Sequence, residues 1–245
     1  MPNTEIITRL LTRHDTWRGQ HQKTTQRTIS SGQDQVDQLL KGGWPTASVT
    51  ELLVQYPGIG ELSLLLPIIK HYCQNNHLAV WLDPPYQPYA PALAAAGITL
   101  QKTLIVQSKS HREWLWIAEQ CIRNNALLLA WTKKTTPSYT DIRKLQLAAA
   151  DSGHPAFLFT ATTQLSASSP ATLRLEVDTG GEKNLRLCVR KLRGVAPGEQ
   201  ILIPRDRDLG PQCSLTKLPV NSSHSAISVP TDIPRSTTTS QRLNA

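Results

Sequence analysis

Apolar and polar positions along this chain repeat with two different periods, and these periods predict its strands and helices. Short, nearly continuous apolar runs, as found in buried strands, lie at residues 49–54, 78–82, 103–107, 126–131 and 156–159. Helical spacing of apolar side chains is found at residues 36–40, 62–69, 111–124 and 141–150, and an alanine-rich helix ends at Gly97. Strands that alternate with helices favour an α/β fold with a mainly parallel sheet flanked by helices.

The pattern changes towards the C-terminus. Residues 173–177 and 185–189 alternate apolar and polar side chains around Asp178-Thr-Gly-Gly, which predicts an antiparallel hairpin with one face in water. From about Arg205 the chain is rich in Ser, Thr and Pro and poor in aromatic residues, which is typical of a disordered tail. The predicted parts are an N-terminal arm (1–27), an α/β domain (28–204) and a disordered tail (205–245).

Residues 48–72 combine a strand, a glycine turn and a helix, which is the arrangement of a phosphate-binding loop. Such loops read G-x-x-x-x-G-K-[ST], in which backbone N–H groups hold phosphate and the last two side chains complete the site. Here Gln55 replaces the first glycine, Glu61 the lysine and Leu62 the hydroxyl residue. The degenerate positions are Gln55, Gly58, Gly60, Glu61 and Leu62. We interpret the loop as part of a nucleotide-binding scaffold that has lost its nucleotide, and we expect no cofactor.

Composition narrows the class of protein only slightly. A chain of 245 residues fits one domain with extensions, and a net charge of +8 favours an acidic partner such as nucleic acid, or simply solubility. The four cysteines show no C-x-x-C spacing, which predicts reduced thiols rather than a metal site or disulfides. No apolar stretch has the length of a signal-peptide core or a membrane span. We therefore expect a soluble, cytoplasmic protein.

Two basic segments are candidate contacts for DNA or for an acidic protein partner. In the hairpin, Arg186 and Arg190 share one face, although a solvated sheet face shows the same alternation. The second segment follows a predicted buried strand between Trp131 and Tyr139, and it suits either phosphate contact with base stacking or a solvated loop. The candidates are Arg186, Arg190, Lys191, Arg193, Lys133 and Lys134. The seven histidines form no catalytic or metal-binding spacing, so we assign no catalytic or metal-binding residue.

Two further motifs have both a structural and a functional interpretation. Glu61 either stabilises the start of its helix, where a carboxylate contributes about 0.3–1 kcal/mol, or contacts a partner. The segment Asp83-Pro-Pro-Tyr86-Gln-Pro-Tyr89 is stiff and carries two aromatic residues. It is either a loop packed over the carboxyl edge of the sheet or a binding surface.

The order of these segments from residue 28 onward resembles the core of RecA-type recombinases. The match begins at ISSGQDQVDQLLKGGWPTASVTELL, includes the buried strand ALLLAW, and ends with the hairpin and KLRG. Two motifs, GGWPTASVTELLVQYPGIGELSLLLP and DPPYQPYAPALAAAGI, are more closely similar to the ImuA family, bacterial proteins associated with translesion DNA synthesis. This resemblance covers roughly residues 5–195. Residues 96–177, with QLAAADSGHPAFLFTATTQLSASSPATLRL, are also similar to the SulA cell-division inhibitors.

Where the chain departs from RecA, it lacks the groups that ATP hydrolysis needs. The catalytic glutamate of that family would fall near Pro84 and Pro85, and its magnesium-binding aspartate at Trp131 or its neighbours, none of which is acidic. Phosphoryl transfer depends on positioned charge, so we expect that the chain is not an enzyme. Residues 160–170 stand where RecA carries a mobile DNA-binding loop, but they contain no Lys or Arg.

The ImuA resemblance implies a RecA-like fold and an accessory or adaptor role in SOS-induced, error-prone translesion DNA synthesis. It implies two protein partners, an ImuB-type polymerase-like protein and an error-prone DnaE-type polymerase, and it leaves weak binding of single-stranded DNA open. A SulA-like inhibitor that binds the division protein FtsZ is the first alternative. A DNA-dependent ATPase of the RecA type is the second, and it has only the order of segments in its favour.

Deletion of residues 205–245 should leave the domain folded, because this segment lacks the apolar content needed to add to a core. We expect the truncated chain to unfold with the same cooperativity and nearly the same thermal midpoint as the full chain, measured by circular dichroism. A midpoint lower by many degrees would contradict the expectation. Unchanged stability with lost partner binding would instead identify the tail as an interaction segment.

Overall fold

A computed structural model describes residues 26–132 and 136–205, and in that part of the chain it contains ten strands and five α-helices. The strands are β1 (Thr28–Ile29), β2 (Trp44–Pro45), β3 (Val49–Val54), β4 (Ala79–Leu82), β5 (Thr103–Val106), β6 (Leu127–Trp131), β7 (Ala156–Ala161), β8 (Leu173–Thr179), β9 (Asn184–Lys191) and β10 (Gln200–Pro204). The helices are α1 (Asp34–Leu39), α2 (Leu66–Gln74), α3 (Ala90–Ala95), α4 (His111–Arg123) and α5 (Tyr139–Ser152). Short 3-10 turns cover Glu61–Leu64, Leu100–Lys102 and Thr162–Gln164.

Eight of the strands form one mixed sheet in the order β10-β9-β8-β3-β7-β6-β4-β5. The six strands from β8 to β5 are parallel, and β9 is antiparallel to both β8 and β10. The remaining pair, β1 and β2, forms a small antiparallel ladder. The predicted α/β class, with a mainly parallel sheet, flanking helices and a C-terminal antiparallel hairpin, is confirmed.

Helices cover both faces of the parallel part of the sheet, and each face has its own core. On one face α1, α2 and α3 pack against β3, β6, β7 and the hairpin, and Trp44 meets Phe157 edge to face at 5.3 Å. On the other face α4 and α5 pack through Trp114, Ala118 and Leu145. Because both faces are covered, every residue of β3 and β6 is buried, which explains why β6 reads as a continuous apolar run and why β3 is apolar apart from Thr50 and Glu51.

Pro67 divides the helix predicted at residues 62–69. The chain first forms a 3-10 turn at Glu61–Leu64, and α2 begins only at Leu66, with Pro67 in its first turn. A single helix from Glu61 would place this proline in its interior, where the ring lacks an N–H and clashes with the carbonyl of Ser63. In the first turn of a helix, proline removes no intrahelical hydrogen bond and has no preceding turn to clash with, so it does not destabilise the helix.

The hairpin differs from its prediction in one respect: β8 is not half-exposed. Residues 173–177 are all buried, including Arg174 and Glu176, which alternation places on the wet face. The reason is that β8 pairs in parallel with β3 in the middle of the sheet and is not an edge strand. The edge position belongs to β10, a strand that the sequence pattern does not reveal because only Ile203 in it is buried.

A buried ion pair fastens β8 to β3. The Nε atom of Arg174 lies 2.7 Å from Oε2 of Glu51, and the two residues are only 7% and 2% exposed. The guanidinium also donates to three carbonyl oxygens of the segment that follows β7. These acceptors belong to Gln164, Leu165 and Ala167. One side chain therefore holds two strands and a connecting segment together.

The predicted arm and tail lie almost wholly outside the described residues, so both stay predictions. The first described strand begins at Thr28 and the last ends at Pro204. No helix in the described part of the chain combines the length and apolar content needed to cross a bilayer.

Replacing Arg174 with Met should lower the free energy of unfolding by about 3–5 kcal/mol, because it leaves the Glu51 carboxylate buried without its counter-charge. Urea denaturation measures the change. The matched control is Arg123→Ala, which removes a half-exposed partner of Glu119 and should cost under about 1 kcal/mol. Equal losses of stability in the two variants would contradict the conclusion that the Arg174–Glu51 ion pair fastens β8 to β3. Adding Glu51→Leu to Arg174→Met should recover part of the loss.

Candidate functional site

The carboxyl ends of the parallel strands meet at one edge of the sheet, and the strand order makes a crevice there. The helix after β4 packs on one face of the sheet and the helix after its neighbour β6 packs on the other, so the loops that follow these two strands lead away from each other. In open α/β sheets such a switch in strand order is where ligands bind. The degenerate phosphate-loop positions lie in the loop after β3, at this edge.

The carboxylate of Glu61 occupies the centre of its own loop. The N–H of Gly58 donates to both carboxylate oxygens, at 2.9 and 3.1 Å, and the N–H of Gly60 donates to Oε2 at 3.1 Å. Gly60 has a φ of 108°, in the left-handed region that favours glycine, and this turns its N–H towards the carboxylate. The Glu61 residue is only 2% exposed.

These bonds give Glu61 a structural role, that of acceptor for the amides of its own loop. The donors are the loop amides that a phosphate-binding loop directs at its ligand, and here they bind an anion that the chain itself supplies. An incoming phosphate would have to displace a carboxylate of like charge. The hydroxyl of Ser63 donates to the Gly60 carbonyl at 2.7 Å and closes the turn.

Asp83 is the second carboxylate at this edge, and it too is bonded inside the fold. It is buried with a φ of 52°, and its Oδ1 accepts the N–H of Ser108 at 2.7 Å. The Ser108 hydroxyl donates to Oδ2. This ties the loop after β4 to the loop after β5. The Asp83 end of the segment is thus a packed loop, as one of its two interpretations predicted.

Aromatic rings fill the place where the RecA resemblance puts a magnesium-binding aspartate. Trp131 stacks on Phe159 with ring centroids 4.3 Å apart and on Trp81 with centroids 5.7 Å apart. The carbonyl of Trp131 accepts the indole N–H of Trp114 at 3.2 Å. The sequence analysis did not identify this stack, although the alternation of β4, β6 and β7 places the three rings on one face.

Four of the five tyrosines are exposed around this edge. Tyr56 is 66% exposed in the loop after β3, Tyr86 and Tyr89 are 69% and 73% exposed after β4, and Tyr139 is 48% exposed at the start of α5. The fifth, Tyr72, is buried and bonds His154 at 3.0 Å, and burial raises its pKa to about 12. The sequence analysis singled out Tyr86 and Tyr89 in one motif but did not bring Tyr56 into it.

Three of the four basic hairpin candidates are engaged within the fold. Arg186 pairs with Asp178 at 2.7 Å, which holds the pKa of that carboxyl below its usual range. Arg190 pairs with Glu176 across the two strands. Lys191 donates to the Ser169 carbonyl at 2.7 Å. The fourth candidate, Arg193, is exposed. This face carries less free positive charge than the sequence alone indicates.

The other basic candidates, Lys133 and Lys134, lie outside the described residues, so their role stays a prediction. Within residues 26–132 and 136–205, no group of three or more His, Cys, Asp and Glu side chains is placed to hold a metal ion.

Comparison with known proteins adds no family assignment. No model of a known protein family matches this chain, and no curated protein matches it. The ImuA, SulA and RecA resemblances therefore stay predictions.

Replacing Glu61 with Ala should lower the free energy of unfolding by about 1–3 kcal/mol, because it leaves two loop amides without an acceptor. Inorganic phosphate should then raise the thermal midpoint of Glu61→Ala by binding the vacated amides. The control is Glu61→Gln, whose amide oxygen still accepts and whose midpoint should respond much less to phosphate. A wild-type chain that phosphate stabilises as strongly as Glu61→Ala would show that the carboxylate does not fill the loop.

Proposed function

We propose that this chain is a non-catalytic, RecA-like accessory protein in SOS-induced, error-prone translesion DNA synthesis. In this role it is an adaptor in the cytoplasm for an ImuB-type polymerase-like protein and an error-prone DnaE-type polymerase. Binding of single-stranded DNA is a weaker, secondary part of the role.

The observation that carries the proposal is the set of bonds from Gly58 and Gly60 to the Glu61 carboxylate. In a nucleotide-dependent protein these amides are needed by the phosphates, and binding or hydrolysis of nucleotide changes the loop. A loop that is filled by its own side chain keeps one conformation without nucleotide. This favours a constant scaffold for partners over an enzyme or a nucleotide-driven switch.

The surface around the loop also supports an adaptor role. The nearby carboxylates of Glu61 and Asp83 are bonded inwards, and exposed tyrosines stand around them. Tyrosine is enriched in protein interfaces because its ring is apolar and its hydroxyl can still bond. Exposed tyrosines at the edge where many α/β sheets hold nucleotide support the proposal that this edge contacts protein.

The proposal is tested in a host strain from which the gene has been deleted. Damage-induced mutation frequency should fall towards the undamaged level and recover when the wild-type gene is returned. Filamentation of the cells after DNA damage should stay as in the parent strain. Unchanged mutation frequency with lost filamentation would reject the proposal and favour the SulA-like alternative.

Calorimetry with ATP and magnesium separates the proposal from the ATPase alternative. We expect no binding heat and no ATP turnover when single-stranded DNA is added, because the loop amides are occupied. Micromolar ATP affinity, or turnover that DNA stimulates, would contradict the non-catalytic role.

A further inference from the structure

Strand β5 lies at one side of the sheet, and half of its backbone groups face away from it. Of the strands that the structure describes, only β4 pairs with β5. The N–H of Asp83 donates to the Val106 carbonyl at 2.9 Å, so the backbone of Val106 is directed towards β4. Successive residues of a strand direct their N–H and C=O groups to opposite sides. The backbone groups of Thr103 and Ile105 therefore face outwards, and no described backbone group bonds them there.

Both faces of β5 carry an exposed apolar side chain. Leu104 is 48% exposed and shares a face with Val106, which packs against the core under α4. Ile105 is 42% exposed and lies on the opposite face, beside Trp81 of β4. Edge strands are commonly protected by a proline, a bulge or a charged residue. The four residues of β5 include none of these, so this edge is suited to pairing with a further strand.

Positive charge flanks β5 at both ends. Lys102 precedes the strand and Lys109 follows it, and within the described part of the chain neither side chain forms an ion pair. Arg112, near Lys109 in the sequence, is exposed. The carboxylates close to this end are already bonded, that of Glu113 to the N–H of Lys109 at 2.7 Å and that of Asp83 inside the fold. The two flanking lysines are therefore available to carboxylates of another molecule.

We propose that β5 accepts an added strand from a protein partner, a segment with consecutive apolar residues at its centre and Asp or Glu at both ends. The outward backbone groups of Thr103 and Ile105 bond this strand. Its central side chains cover Leu104 on one face and Ile105 on the other. The proposal goes beyond the adaptor role and does not rest on it.

The flanking charge favours such a partner over a second copy of this chain. Residues 102–109 contain two lysines and no acidic residue. Pairing of two copies therefore gathers four lysines along one seam without a carboxylate from either segment. Like charges across paired strands are destabilising, whereas opposite charges stabilise the pair. Acidic ends on the added strand supply the missing opposite charge.

The probe is a phage-displayed library of random twelve-residue peptides, selected on the immobilised full-length chain. Enriched peptides are synthesised and titrated by fluorescence anisotropy. We expect an apolar centre with acidic ends, and an affinity that falls as salt is added. Hydrogen exchange followed by NMR locates the bound peptide. The amides of Thr103 and Ile105 should exchange about tenfold more slowly, or slower still, when the peptide is bound.

Two variants separate the backbone contribution from the charge contribution. Ile105→Pro removes an outward N–H but no bond to β4, so the fold should persist and peptide affinity should fall about tenfold or more. Ile105→Thr, which keeps the N–H, is its control and should weaken binding much less. Lys102→Glu with Lys109→Glu should also weaken acidic peptides about tenfold or more. Its control is the same charge change at two exposed residues outside this edge, Arg143→Glu with Lys183→Glu, which should affect binding much less.

Three results would overturn the proposal. One is a library that yields no peptide able to slow exchange at Thr103 and Ile105. Another is a chain that dimerises with rising concentration in light scattering and becomes monomeric as Ile105→Pro, which would assign this edge to a second copy. The third is equal competition by oligothymidylate, which would assign it to nucleic acid. All these measurements use the purified chain, so they stand or fall separately from the mutation-frequency test of the proposed function.

Discussion

The bonds between the Glu61 carboxylate and the amides of Gly58 and Gly60 are the interaction on which the carboxyl edge of this protein depends. A glycine turn after a buried strand leaves several N–H groups pointing into one small space, and a buried N–H without an acceptor is costly. Nucleotide-binding proteins satisfy such groups with phosphate. This chain satisfies them with a neighbouring side chain, so the loop is complete as soon as it folds.

In the loop after β4 a second carboxylate, that of Asp83, is also hydrogen-bonded within the fold. Asp83 accepts the N–H and hydroxyl of Ser108, so its charge is also directed into the fold. Both carboxylates are held by backbone or hydroxyl donors, and the other described residues that line hollows at this edge are aromatic, aliphatic or uncharged polar residues. The hairpin reaches a similar state by other means, since Arg186 and Arg190 face carboxylates of β8. In the hairpin, positive charge that is conspicuous in the sequence is therefore largely paired.

The parts of the fold that follow from local pattern were predictable, and the parts that depend on strand neighbours were not. Strand β6 reads as a continuous apolar run, and β3 as a nearly continuous one, because helices cover both faces. Alternation in β8 predicted one solvent-exposed face. The pattern does not reveal that β8 lies beside β3, where Arg174 forms a buried ion pair with Glu51. Likewise, the presence of Glu61 where phosphate-binding loops carry lysine predicted a lost nucleotide site. The hydrogen bonds from Gly58 and Gly60 to Glu61 could be seen only in the structure.

The position of β3 has a consequence for how the chain is made. Its two neighbours in the sheet, β7 and β8, are both encoded far downstream, and β4, which follows it in sequence, is not beside it. A ribosome therefore releases β3 with two unpaired edges and four uncovered apolar side chains, and the strand stays so until most of the domain has been synthesised. Such a strand invites pairing with other chains. During synthesis this protein is therefore expected to need protection by chaperones, and its aggregation in overproducing cells would begin at residues 49–54.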